Sequence, residues 1–232
     1  MALAHYVDAF VLGIFPYIAL TVMLIGSLLR YVLAPYTWKS ASSEIWASKS
    51  LRLGSNLFHV GVLGLFFGHI GGLFTPLWLL DLLHVTPVMH QWLEVIIGSF
   101  FMLLAIAGLI ILLHRRLSNP RVRATSRPMD IFIDAWLLLT LLLGAGCVSY
   151  SALYDASGAS LIVFGLWTRG VLMLQADAWT LMVEAPLIYK LHIFSGFMVF
   201  LLLPFTRLVH IWSGFATLLY IPRRYQLMRR LG

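Results

Sequence analysis

The sequence predicts an all-α membrane protein: a bundle of five transmembrane helices, N-terminus outside, C-terminus inside, with an interfacial helix in the outer loop. Three observations predict it. Of the 232 residues 61% are apolar and only 11% charged, and the mean hydropathy is +0.92, well outside the range of a soluble domain. Five stretches lack Asp, Glu, Lys and Arg at or near spanning length. The basic residues, finally, fall almost entirely on one side of those stretches.

The five stretches are 9–29, 53–80, 95–114, 135–154 and 191–206, against a requirement of roughly 20 apolar residues per span. The last is short by this strict count, but 186–210 is long enough once Lys190 and Arg207 snorkel to the interfaces. The first reads as a retained span rather than a cleaved signal peptide, because nothing positive precedes it and Arg30 follows at once. Residues 158–176 are apolar but carry Arg169, and a sixth span is the alternative there. Charge decides against it. With five spans, 14 of the 16 Lys and Arg lie on one side, leaving only Arg169 and Lys190 on the other. Six spans would put the basic C-terminal tail, about 213–232, outside, against the positive-inside tendency. The outer stretch therefore reads as a helix lying on the surface.

The whole chain, 1–232, reads as a single domain with short inner loops, and Pro120 and Pro128 mark the second loop as non-helical. Trp38, Trp46, Trp78, Trp92, Trp179 and Trp212 fall near span ends, where aromatic belts form. The net charge of +7 is spread in short runs between apolar segments, which argues for membrane topology and against nucleic acid. Cys147 is the single cysteine, so a disulfide framework, a Cys-ligated iron–sulfur cluster and a CxxCH haem attachment are all excluded.

Four histidines sit inside two spans: His59 and His69 in span two, His192 and His210 in span five. Coordinating side chains are costly in a bilayer and mark ion paths, proton relays or cofactors, and imidazole suits haem iron as an axial ligand. Span two runs from inside to outside, placing His69 about 15 Å further out than His59. Span five runs back, with His192 near the outer face and His210 about 27 Å away near the inner one. Depth alone therefore pairs His59 with His210 and His69 with His192. Two mismatches stand against this pairing. The span-two histidines are roughly 80° apart around an ideal helix, and the two axial separations differ. Helix distortion absorbs both, and Pro204 is expected to kink span five between its histidines. The bland alternative for each histidine is a hydrogen bond to a neighbouring helix. His5, His84, His90 and His114 lie at span ends, where an interfacial role is the default. Gly61, Gly64, Gly68, Gly71 and Gly72 let either a macrocycle or another helix approach span two closely.

Several segments together resemble the gamma subunit of the membrane-bound respiratory nitrate reductases. They are Ser55-Asn56-Leu57-Phe58-His59 through Gly68-His69 to Thr75-Pro76, Tyr36-Thr37-Trp38-Lys39-Ser40-Ala41-Ser42-Ser43, Arg115-Arg116-Leu117, and Pro120-Arg121-Val122-Arg123-Ala124-Thr125. Leu191-His192, the block Pro204-Phe205-Thr206-Arg207-Leu208-Val209-His210-Ile211-Trp212-Ser213, and Arg224-Tyr225-Gln226-Leu227 continue the likeness. It runs in order through nearly the whole chain apart from an outer loop at 150–185.

The resemblance implies a five-span cytochrome b carrying two non-covalent haem b groups in the bacterial or archaeal cytoplasmic membrane. His59 and His210 match the ligands of the inner haem, His69 and His192 those of the outer one. Quinol is the implied substrate, oxidised near the outer haem. The implied partners are an iron–sulfur beta subunit and a molybdenum alpha subunit at the cytoplasmic face, the latter reducing nitrate. Arg207 is a candidate propionate partner, with a positive-inside anchor as the alternative. At the outer start of span three the family carries a lysine, whereas this chain reads Val88-Met89-His90-Gln91. Gly68 and His90 are accordingly the quinol-site candidates, imidazole titrating in a useful range. Two alternatives stay open: a dihaem subunit of a sulfur-metabolism or heterodisulfide-reductase-like complex, and a haem or proton transporter.

Overall fold

The computed structural model describes residues 2–34, 37–38 and 48–213. The inner-loop motif around Lys39, Trp46 and the basic tail with Arg223, Arg224, Arg229 and Arg230 lie outside the described residues. Among the described residues the chain is helical throughout its regular structure, with no strand. Five helical segments are long and apolar enough to cross a membrane: His5–Leu33, Lys49–Phe74, Pro87–Ser118, Pro128–Tyr154 and Leu187–Phe205.

The first span is α1 (Ala2–Asp8), a π turn (Ala9–Ile14) and α2 (Phe15–Leu33) run end to end. The π turn ends two residues before Pro16, whose missing N–H and bulky ring disturb the regular ladder. The second span is α3 (Ser48–Phe74), followed by the short α4 (Leu77–Leu82). The third, α5 (Pro87–Ser118), opens on Thr86, whose hydroxyl accepts from the Met89 N–H at 3.2 Å. α6 (Pro120–Ala124) and α7 (Pro128–Tyr154) follow, and both begin on the prolines expected to mark a non-helical loop. Proline at the first helical position gives up an N–H that would have been unpaired anyway, and its fixed φ suits the helix. Pro120 and Pro128 therefore start helices here rather than exclude them.

The charge-free stretches underestimate the spans. α5 extends back over Glu94 and His90, and α7 over Asp130 and Asp134. Between α7 and the last span, α8 (Ala159–Leu172) is 14 residues long, too short to cross the roughly 30 Å hydrocarbon core at 1.5 Å per residue. It packs on α3, and its Trp167 indole donates to Leu12 O at 3.1 Å, closing a core with Val171, Ala178 and Met182. The sixth-span alternative is thereby removed.

The fifth span, α9 (Leu187–Leu202), does not merely kink at Pro204. It gives way to two 3-10 turns, Leu203–Phe205 and Arg207–Val209, joined by an extended Thr206. Breaking a helix in a membrane frees carbonyls that must be satisfied. The Arg30 guanidinium does so, donating to Pro204 O and Thr206 O, both at 2.7 Å. Lys190 does not snorkel to water: its ammonium pairs with Asp8 at 2.7 Å and donates to Val183 O at 2.6 Å.

Consecutive spans alternate in direction, giving the bundle an arginine-rich end (Arg30, Arg115, Arg116, Arg207) and an opposite end where Asp8 meets Lys190. The tightest contact is between antiparallel α3 and α5. A Cβ on Gly61 would collide with the backbone of Ala105, one on Gly108 with the backbone of Phe58, and one on Gly64 with the Phe101 ring. Small residues permit backbone contact where lipid offers no hydrophobic drive. Large apolar side chains such as Phe67, Ile96 and Leu103 are correspondingly exposed on the outside of the bundle.

Candidate metal-ligand pairs

The four span histidines meet in the pairing that depth predicts. The imidazole centroids of His59 and His210 lie 6.1 Å apart, and those of His69 and His192 6.2 Å apart. The pairs run in opposite order along α3 and the last span, which are therefore antiparallel. The crossed pairing does not occur.

Each ring is also oriented in the same sense. His59 Nδ1–H donates to Ser55 O at 2.8 Å and His69 Nδ1–H to Leu65 O at 2.7 Å, both one turn back on α3. His210 Nδ1–H reaches Arg207 O at 2.6 Å, and His192 Nδ1–H crosses to Thr140 O on α7 at 3.1 Å. A carbonyl can only accept, so Nδ1 is the donor in all four contacts and Nε2 is the nitrogen left to face a metal. This is how metal-ligating histidines are held: one nitrogen fixed by a backbone carbonyl, the other presented to the metal. With metal–imidazole bonds of about 2 Å and roughly 1 Å from nitrogen to ring centre, two imidazoles trans on one ion place their centroids about 6 Å apart. Both pairs match that spacing. Among the described residues there is no cluster of three or more His, Cys, Asp or Glu suited to a bare ion.

α7 supplies much of the surroundings of the last span's two rings. Gly144 on α7 lies where a Cβ would stand 3.0 Å from His192 Cε1, so glycine makes room for the imidazole. Around it, Trp136 Nε1 donates to Ser195 O at 3.1 Å and the Thr140 and Ser195 hydroxyls share a hydrogen bond of 2.5 Å. At the arginine-rich end Arg207 grips Asp130 with two contacts, Nε to Oδ1 at 3.0 Å and a second nitrogen to Oδ2 at 2.6 Å. Arg116 pairs with Asp134 at 2.8 Å and lies 3.8 Å from Asp130. The residue whose carbonyl orients His210 is thus tied by its side chain to α7.

Matched over residues 8–231 is the family model described as "Nitrate reductase gamma subunit". The chain belongs to that family. It is 37% identical over 226 residues to respiratory nitrate reductase 2 gamma chain of Escherichia coli, covering 97% of this chain and 98% of that one. To the respiratory nitrate reductase 1 gamma chain of the same organism it is 38% identical over 225 residues, with the same coverage. The nitrate reductase gamma chain of Bacillus subtilis is 37% identical over 198 residues, 85% of this chain and 87% of that one. As a nitrate reductase gamma subunit, the chain is the multi-pass membrane-anchoring subunit of a larger oxidoreductase.

The remaining candidates separate. Gly68 lies beside His69 on α3. His90 is buried in the first turns of α5. Next to it Gln91, not foreseen, donates its amide to Ser151 O, Ser151 Oγ and Asp155 O at 3.0, 2.9 and 2.8 Å, fastening α5 to the end of α7. Glu94, one turn further on, faces Gly68 and Gly72. Gln91, Glu94, Asp130, Asp134, Thr140 and Gly144 were all missed from sequence. For the three acids the signal was present: each lies within a turn or two of a charge-free stretch that a strict count cuts short.

Proposed function

We propose that this gamma subunit is the quinol-oxidising dihaem cytochrome b of a respiratory nitrate reductase. It would bind one haem b between His59 and His210 and a second between His69 and His192, and pass electrons to iron–sulfur and molybdenum subunits. The observation carrying the proposal is the meeting of four histidines in two pairs at haem-ligand spacing, each with Nδ1 committed to a carbonyl. Haem, when bound, supplies reversible one-electron oxidation and reduction at each end of the bundle.

The chain's own residues set where the chemistry happens. The arginine-rich end, with Arg30, Arg115, Arg116 and Arg207, is the side to which the sequence topology assigns 14 of the 16 basic residues, and it belongs at the cytoplasmic face by the positive-inside tendency. That face, together with the tail from 213 onwards, is where the partner subunits dock. The His69 end then lies toward the outside. There quinol binds near Gly68, with His90 at the entrance to α5, and releases its protons outward while its electrons leave for the inner face. Moving one charge across the full membrane involves about 2.3 kcal/mol per 100 mV, so turnover in this direction builds membrane potential. Arg207 is committed to Asp130, and a propionate contact would be an additional role for it.

Redox-titrated visible spectra of the purified complex and its ligand variants test this reading. Wild type is expected to hold two low-spin haems. His59→Ala or His210→Ala should remove one and His69→Ala or His192→Ala the other, the second pair also stopping outward proton release during quinol-driven nitrate reduction. Two unperturbed haems in all four variants would end the assignment, and a wild type without stoichiometric haem would favour a transporter.

A further inference from the structure

We propose that Glu94 is the group that takes the proton from quinol at the His69 end, an inference that rests on the quinol-oxidising reading above. The contact between α3 and α5 changes character along its length. From Gly108 to Phe101 it is closed, glycine against backbone or ring. Past Phe101 it opens. A Cβ on Gly98 or on Gly71 would meet nothing within 4 Å, and one on Gly68 would meet only Glu94 Oε2, at 3.7 Å. One on Gly72 would stand 3.0 Å from the Glu94 carboxyl carbon. The carboxylate therefore lies across the two glycines that bracket His69, where the helices leave room.

Packing does not account for an acid in this place. Glu94 is seven residues into α5, about 10 Å along the helix at 1.5 Å per residue, and partly buried. An ionisable group within a span is costly and marks function by default. The other acids of the spans are matched: Asp8 with Lys190, Asp130 with Arg207, Asp134 with Arg116. Among the described residues no hydrogen bond or ion pair engages Glu94. The titratable and charged groups toward this end on the elements packed against α5 are His69 on α3, Arg169 on α8, and Tyr150, Tyr154 and Asp155 at the end of α7. Arg169 is directed back to Gly165 O at 3.0 Å. On α5 itself His90 sits one turn nearer the helix start, in line with Glu94 and Gly98 at four-residue spacing.

The step balances with groups already named. A quinol O–H bond breaks and its proton goes to a carboxylate oxygen of Glu94; the one-electron acceptor that balances the step would be the haem that His69 and His192 would hold. Glu94 returns the proton by way of His90 to water at the start of α5, and a second round leaves quinone. Only the ionised carboxylate can accept, so the quinol-driven rate falls as pH drops through its titration.

The test uses the complete complex with a short-chain ubiquinol and a short-chain naphthoquinol. Stopped-flow haem reduction is followed against pH for wild type, Glu94→Gln and Glu94→Asp. In Glu94→Gln the rate should fall about a hundredfold with less than about a threefold change in KM, and the acid limb of the profile should vanish. Glu94→Asp should recover most of the rate and keep the limb. Both variants should show the wild-type dithionite-reduced spectrum. A Glu94→Gln complex with wild-type rate and profile overturns the inference, and so does loss of the His69–His192 haem signal in either variant. If wild type itself is reduced by neither quinol, the quinol-oxidising reading fails and this inference goes with it.

Discussion

At the arginine-rich end, Arg116, Asp130, Asp134 and Arg207 neutralise one another between α5, α7 and the broken close of the last span. At the opposite end, α5 and α7 are joined by a neutral amide, Gln91 on Ser151 and Asp155, and the carboxylate of Glu94 is left without a counter-charge. Both ends hold a histidine pair at nearly the same spacing, yet the rings are inclined at 64° for His59–His210 and 33° for His69–His192. The ends thus differ in how their polar groups are used. Charge at the first is consumed in structure, locking an irregular backbone that a membrane would otherwise penalise. At the second, uncharged groups fasten α5 to α7, the Asp8–Lys190 pair ties the first span to the last, and the Glu94 side chain remains available.

The strongest way to break this contrast is to cut the ionic lock. Asp130→Ala removes both contacts of the half-buried Arg207 and leaves it only the weaker attraction of Asp134, a change costing up to about 3–5 kcal/mol. Because the Arg207 carbonyl orients His210, the His59–His210 haem should be lost while the His69–His192 haem persists. Gln91→Ala is the matching change at the other end, and losing its neutral hydrogen bonds should cost only about 1–3 kcal/mol. Thermal unfolding with haem spectra on both variants decides. Equal costs, or loss of both haems in Asp130→Ala, would mean the two ends are not held differently.

A finer change sharpens the comparison at the His69 end. Gly144→Ala places a methyl 3.0 Å from His192 Cε1, close enough that the ring must shift by a few tenths of an ångström. Stability should change by about 1 kcal/mol. The expected signature is a displaced reduction midpoint or spectral band for one haem alone. A shift in both haems, or in the His59–His210 haem only, would show that Gly144 does not serve this ring.

Much of this was legible in the sequence. Span number and histidine pairing follow from apolar length and depth, which a bilayer constrains closely, and the family follows from motif order. What stayed hidden has separate causes. Counting only charge-free residues treats an acid as the end of a span, so Asp130, Asp134 and Glu94 were left at the margins, although the first two are neutralised within the fold. The glycines of α3 showed a different limit: sequence could not say whether they admit a macrocycle or a helix. Gly61 and Gly64 admit α5, while Gly68 and Gly72 face Glu94. Nor could helical spacing foresee that Pro204 replaces a kink with two 3-10 turns, since that outcome depends on Arg30 arriving from another span to satisfy the freed carbonyls.

The smallest expected effect lies just beyond α7, at the turn that leads into α8. The Asp155 carboxylate accepts from the Ser157 N–H and hydroxyl, the Gly158 N–H and the Ser160 N–H, at 2.9–3.2 Å. Burial alone would raise its pKa, but the bonds from Ser160 and Ser157 outweigh it and hold the carboxyl below the ordinary carboxylate value. Gly158 at the same turn has φ +71° and presses on the Pro87 backbone, so the turn also closes over the start of α5. A depressed folded pKa gives stability that is fully present above the unfolded value, about 3.9, and is lost as pH falls through the folded one. Asp155→Ala should therefore cost about 1 kcal/mol at neutral pH, as loss of a helix cap does. Asp155→Asn should cost less, since its amide oxygen still accepts. The gap between wild type and Asp155→Ala in melting temperature should narrow as the pH is taken below about 4. A gap unchanged with pH would show that the carboxylate's charge is not what holds the turn. A variant that also alters quinol-driven haem reduction would tie this turn to the Glu94 end as more than a cap.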